Sequence, residues 1–232
     1  RGRVDVGRPQ STPLSAPNRP RSGDAGAMER TALAWMRQPP ASVPERFDRQ
    51  QIGPVLWQAL LRDGITTHVW GDVAIPADRV ETAEIRAAAL EGLVPRRGVV
   101  GRAAAAWVHT GGPRPARIDV LVAPHARRPD PHPQRVPHEC VLPAHDVVAR
   151  GPLRVTTVER TAIDVARWSR EPETTRVLER LALLGGLDPE RAVDRLGELA
   201  GHRGVNGAAA ALERLARQAR APEPGSAATR SA

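Results

Sequence analysis

The run Arg117–Pro124, RIDVLVAP, constrains the fold more than any other stretch of the chain. It is apolar at nearly every position rather than at alternate ones, the pattern of a strand covered on both faces. A chain that contains it needs an interior strand of a sheet and layers to cover that sheet. The flanking segments supply candidates. GVVGRAAAAWVHTGG (98–112) reads as a strand at Val99 and Val100, then an Ala-rich helix that stops at Gly111-Gly112. The small residues of that helix predict close packing. VETAEIRAAALEGLVP predicts another helix, with Thr82 and Glu84–Leu90 in a helical pattern.

Upstream, Asp48 is the expected N-cap of RQQIGPVLWQALLRDG, with Ile52, Val55, Leu56, Ala59 and Leu60 at helical spacing. Pro54 is an alternative helix start and Gly64 the expected stop. ITTHVW and VAIP flank Gly71-Asp72 and predict a compact hairpin. Downstream, residues 125–138 read as a Pro/His/Arg loop. Short strands are expected around Glu139–Leu142, Asp146–Val148 and Leu153–Val155. VTTVERTAIDVAR predicts a helix capped by Thr156 or Thr157; a cap at Thr156 would put Glu159 at capping-box spacing. From Glu173 to Leu215 the pattern is helical, with Asp188-Pro189-Glu190 as a helix start. This order predicts an α+β fold: a mixed sheet with packed helices, a reduced winged-helix-like N-terminal element and a helical C-terminal part. Strands do not alternate regularly with long helices, as a doubly wound sheet requires.

The expected organisation is a disordered N-terminal extension over 1–45, a winged-helix-like element over 46–77, an α/β domain with its helical part over 78–217, and a disordered tail over 218–232. Residues 1–27 are rich in Arg, Pro, Ser and Gly and lack apolar periodicity. MERTALAWMRQ allows a short helix over 28–38, and Met28 is an alternative translation start.

Composition excludes several chemistries. All 34 basic residues are Arg, so no Walker P-loop lysine, kinase-type lysine or Schiff base is available. The single Cys, Cys140, rules out an internal disulfide framework and a multi-Cys zinc site. No apolar run reaches 18 residues, so no transmembrane helix is expected. No apolar leader is present either, which points to the cytoplasm. With no Tyr and one Phe, Trp70 on the hairpin is assigned to the core rather than to base stacking.

The net charge of +8 is unevenly spread. Residues 96–170 hold 13 Arg against six acidic residues, whereas residues 46–95 hold five against seven. A polyanion would therefore meet the former segment. The candidate nucleic-acid contacts are Arg96, Arg97, Arg127, Arg128 and Arg154, with Arg62 and His68 on the helix and hairpin. Cys140 lies among His125, His132, His138 and His145, which raises a transition-metal cluster or a thiol–imidazole pair with His138 or His145. The spacings match no zinc pattern and no oxyanion hole is evident, so no metal, cofactor or catalytic residue is assigned. Arg160 and Asp164 stand four apart and predict an ion pair on the helix. With Thr156, Thr157 and Thr161 they form either a structural capping and salt-bridge set or a helix start that meets a partner or phosphate.

Several stretches fall in the order seen in the AbiEi-type antitoxin family of type IV toxin–antitoxin systems, whose actinobacterial members are also met as transcriptional regulators. They are GDVAIPADRVETAEIRAAAL (71–90), GVVGRAAAAWVHTGG (98–112), ARIDVLVAP (116–124), LRVTTVERTAIDVAR (153–167) and LGELAGHRGVNGAAAALE (196–213). VTTVERTAIDVAR resembles the family's V-T-T-x-x-R-T-x-x-D-x-A segment, which makes Thr156, Thr157, Arg160, Thr161 and Asp164 the family-motif positions. The resemblance spans roughly 47–215. It implies an N-terminal winged helix for operator DNA and an α/β domain for antitoxicity or dimer contacts. Two departures stand out. Phe47–Ala77 has room for one long helix and a wing-like hairpin only, and the endonuclease domain similar to very-short-patch repair enzymes, which some relatives carry, has no counterpart. The expectation is a non-enzymatic AbiEi-like antitoxin or transcriptional regulator that binds duplex DNA, a cognate toxin protein, or both. The alternative is a non-DNA-binding remnant of an endonuclease-associated member that has lost its catalytic domain.

Overall fold

The computed structural model describes residues 43–126, 129–199 and 201–220. The expected helix over 28–38, the pair Arg127-Arg128 and the segment 221–232 lie outside the described residues.

A three-stranded antiparallel sheet opens the described residues. It contains β1 (Phe47–Asp48), β2 (Thr66–Trp70) and β3 (Val73–Pro76) in the order β1-β3-β2. The β2–β3 hairpin turns at Gly71, whose φ of +55° suits a residue without Cβ. Asp48 does act as a cap: its Oδ1 accepts the Gln50 amide at 2.8 Å. The helix it opens is short, however. α1 (Arg49–Ile52) ends at Gly53, at φ +80°, and α2 (Pro54–Arg62) starts afresh with Pro54 in its first turn. The one long helix expected here is thus two, because Gly53 takes a left-handed backbone and Pro54 has no N–H to continue the ladder.

α3 (Ala83–Ala89) begins where Thr82 Oγ1 accepts the Ile85 amide at 3.3 Å. A five-stranded mixed sheet then forms from β4 (Val99–Gly101), β5 (Ile118–Val122), β6 (Arg135–Glu139), β7 (Val147–Arg150) and β8 (Leu153–Thr156), in the order β6-β5-β4-β8-β7. β5–β6 and β4–β8 are parallel; β4–β5 and β7–β8 are antiparallel. β5 is interior, as its apolar run requires. α4 (Arg102–Thr110) leaves the end of β4. The helical part comprises α5 (Val158–Trp168), α6 (Glu173–Leu184), α7 (Pro189–Leu196) and α8 (Val205–Arg220). The fold is α+β with a mixed sheet.

Four boundaries differ from expectation. β6 occupies Arg135–Glu139, inside the segment read as loop, and no strand runs through Leu142. Pro137 hides the strand in the sequence, but β6 is an edge, where the missing N–H costs no ladder bond. β7 starts at Val147 rather than Asp146, because Asp146 closes a short 3₁₀ turn. Thr157, not Thr156, caps α5: its Oγ1 accepts the Arg160 amide at 3.3 Å, so no capping box forms with Glu159. α8 runs to Arg220, past the expected boundary at 217.

Two apolar clusters hold this unit together. One joins Val100, Ile118, Val120, Val122 and Val155 of the five-stranded sheet to Leu90, Trp107, Val108 and the hairpin residues Val69 and Ile75. The other packs Ala106 against Ile163, Leu178, Leu181 and Leu212. α4 therefore buries opposite sides in different clusters, and Ala at 104, 105 and 106 lets neighbours approach on both. Each large side chain removed from water contributes about 1.5–3 kcal/mol. Trp70 belongs to the first cluster, with its indole N–H donated to the Pro115 carbonyl at 3.0 Å.

Candidate functional site

The candidate contacts fall in two separate places. Arg62 and His68 belong to the N-terminal element. Arg62 Nε donates to Asp63 at 2.9 Å, and His68 Nε2 donates to the Gly71 carbonyl at 2.8 Å while its ring meets Trp57 edge-on. Neighbouring arginines are also neutralised: Arg46 by Glu91, Arg49 by Asp72, and Arg79 by Glu45, at 3.4–3.6 Å. A cavity of about 690 Å³ beside the hairpin is lined by Asp48, Asp72 and Glu91 as well as Arg46. The exposed positions on α2 include Val55 and Leu56. Helix and hairpin therefore carry no basic face.

Arg96, Arg97 and Arg154 stand differently. All three are exposed, and among the described residues none is ion-paired to a carboxylate. Arg97 precedes β4 and Arg154 lies on β8, a parallel neighbour of β4. That pairing carries both side chains to one groove of about 540 Å³. Val99, Leu121 and Val147 form its apolar part and no Asp or Glu lines it. These residues project from the sheet face opposite Val100, Val120 and Val155, as period-two alternation demands. The two guanidiniums are anchored here by strand register rather than by ion pairs.

Thr156, Arg160, Thr161 and Asp164 make a buried network beside the half-buried cap Thr157. Thr156 Oγ1 and Thr161 Oγ1 are 2.6 Å apart. Arg160, 3% exposed, donates from Nε to Asp164 at 3.0 Å, from Nη1 to Asp146 at 2.7 Å, and from Nη2 toward Cys140 Sγ at 3.1 Å. Arg195 of α7 donates to the other oxygen of Asp146. Burial opposes the charge on Arg160, but Asp164 and Asp146 more than offset it and raise its pKa above the ordinary arginine value. The Arg160–Asp164 pair was visible in the sequence. Asp146 and Arg195 were not, since they lie 14 and 49 positions from their partners and meet only through the fold. Of the two roles considered for this motif, the structural one accounts for every donor on the Arg160 guanidinium that has a partner here.

Cys140 is held by Arg160, not by a histidine. His138 instead lies 2.7 Å from Asp119 Oδ1 and 3.2 Å from Arg102 Nη1. His132 Nδ1 accepts the Gln134 amide, and His145 is exposed near Glu198. Among the described residues no three His, Cys, Asp or Glu side chains converge as metal ligands. No helix among them is long and apolar enough to cross a membrane. Two features went unnoticed in the sequence: the positive φ of Arg102, +51°, and the stack of arginines on Trp168. Neither has a local signal.

No family model matches the chain and no curated protein matches it. Among solved structures, it is similar to the crystal structure of RV2827C protein from Mycobacterium tuberculosis, with 15% identity over 85% of this chain and 82% of that one, at a TM-score of 0.36. A likeness at that level carries no argument.

Proposed function

We propose that the chain is a non-enzymatic, cytoplasmic AbiEi-like antitoxin or transcriptional regulator that acts by binding, and that it meets duplex DNA through Arg96, Arg97 and Arg154. The observation that supports this is the pair of exposed, carboxylate-free arginines Arg97 and Arg154 on a groove that no acid lines, with exposed Arg96 next to Arg97 in the chain. Guanidiniums not already neutralised release counterions from phosphate at full effect, whereas the paired arginines of the helix and hairpin first have to break their ion pairs. The reading thus moves the DNA contact from the hairpin to the β4–β8 edge of the groove. The apolar floor of Val99, Leu121 and Val147 favours a protein segment for the groove itself, which fits a cognate toxin as a further partner.

The test is titration of the purified protein with duplex DNA from the region upstream of its own gene at two salt concentrations. Sequence-selective binding that weakens steeply with salt supports a regulator. Absent binding, or equal binding to any duplex, removes the operator role and leaves the non-DNA-binding remnant as the standing alternative.

A further inference from the structure

Trp168 closes α5 and is 40% exposed. Three guanidinium carbons lie close to its ring centroid: Arg102 at 5.0 Å, Arg167 at 5.2 Å and Arg203 at 5.9 Å. Cation–π contact stabilises each of them individually. It does nothing for their mutual repulsion, which Asp164, 4.0 Å from Arg167, relieves only for that side of the cluster and a further anion would relieve for the rest.

The donors of these arginines are unequally committed. Arg167 donates from Nε and Nη2 to the Arg203 carbonyl at 3.0 and 2.9 Å, and its Nη1 is 4.0 Å from Asp164. Arg167 is thus a strut. Arg102 and Arg203 are not: among the described residues neither forms an ion pair, and Arg203 makes no side-chain hydrogen bond. The polar neighbour of Arg102 is His138 Nε2 at 3.2 Å, but the same nitrogen is 2.7 Å from Asp119 Oδ1. One ring nitrogen cannot both donate to a carboxylate and accept from a guanidinium. The shorter contact makes it the donor to Asp119, so Arg102 keeps its N–H groups for another acceptor.

The backbone adds a further point. Arg102 sits at φ +51°, a region that favours glycine, so chain conformation does not select arginine there. Its side chain lines a cavity of about 240 Å³ with Arg160, Arg167 and Trp168; Asp164, which Arg160 neutralises, and Glu139 line it too, and Arg203 reaches the Trp168 ring from outside that lining. The geometry points to a phosphate-ester site formed by Arg102 and Arg203 on the face of Trp168, with Arg167 fixing the ring and the loop that carries Arg203. A phosphate-ester group supplies several oxygens to two guanidinium edges, as bidentate recognition requires. The group comes from a free nucleotide or from a nucleic-acid backbone. Leu121 and Cys140 line both this cavity and the Arg97–Arg154 groove. The site stands independently of any contact at that groove.

The probes are inorganic phosphate, AMP and a short duplex, each titrated into the full chain by calorimetry and by Trp fluorescence. Saturable binding of at least one probe is expected. Arg102→Gly and Arg203→Ala should each weaken it about tenfold or more, the effect of removing one charge-assisted hydrogen bond. Arg102→Gly should hold or raise the melting temperature, because glycine suits the left-handed backbone, so weakened binding is not a folding defect. AMP binding that is unaffected by Arg97→Ala identifies a free-nucleotide site. Binding of the duplex alone, weakened by Arg102→Gly, identifies the backbone as the source. No saturable binding of any probe, or affinities unchanged in both variants, overturns the proposal.

Discussion

Arg160 shows how much one side chain can hold. It satisfies Asp164 on its own helix and Asp146 from the turn before β7, and Asp146 also binds Arg195. Truncation would leave two carboxylates buried around a missing cation. Arg160→Ala is therefore expected to cost about 3–5 kcal/mol in urea unfolding, whereas Arg62→Ala, at an exposed pair, should cost within about 0.5 kcal/mol. Equal losses would show that the network carries no special weight. His109 makes a pH-dependent contribution. Its Nε2 donates to the Thr156 carbonyl at 2.8 Å, and burial, aided by Arg150 and Arg86, pulls its pKa below 6.5. The folded state thus prefers neutral imidazole, and the unfolded state binds the proton more readily. Stability is fully present above the unfolded pKa and is lost as pH falls through it toward the folded one. His109→Gln should flatten the decline in melting temperature as pH falls below about 6.5. Identical slopes would refute this.

Elements were legible wherever a local signal sufficed. Gly71-Asp72 marks the hairpin, Asp48 and Asp188 cap helices, and the apolar run at 118–122 is an interior strand; Thr82, read as part of its helix, is instead the cap. What stayed hidden depends on distant partners. β1 is two residues long and exists because Phe47 and Asp48 pair with Ala74 and Val73. β6 contains a proline and exists because β5 offers it an edge. Arg102 has no signature of its left-handed backbone, and Arg203 meets Trp168 only through the tertiary fold, with two α-helices between them in the chain. The β4–β5 register carries a sharp steric condition. A Cβ at Gly101 would lie 2.7 Å from Leu121 Cγ and 2.8 Å from its Cδ1. Gly101→Ala should therefore cost about 1–3 kcal/mol. Combined with Leu121→Ala, the destabilisation should be smaller than the sum of the single values, as a double-mutant cycle of urea midpoints would read. Strict additivity would place the strain elsewhere.

At the scale of the whole molecule, charge is sorted by what neutralises it. The arginines of the N-terminal element are spent on Glu45, Asp63, Asp72 and Glu91. Those at 96, 97 and 154 are not. The sequence located the basic excess in residues 96–170 but could not separate paired from unpaired arginines, since pairing is tertiary. That distinction moves the proposed DNA contact away from the hairpin. The most direct measurement is the slope of log affinity against log salt for upstream duplex DNA, compared among wild type, Arg97→Ala/Arg154→Ala and Arg62→Ala. The expected result is a slope reduced by about two in the double variant, near one for each phosphate no longer neutralised, with Arg62→Ala unchanged. A slope that falls in Arg62→Ala and holds in the double variant would contradict the proposal and return the DNA-binding surface to the helix and hairpin.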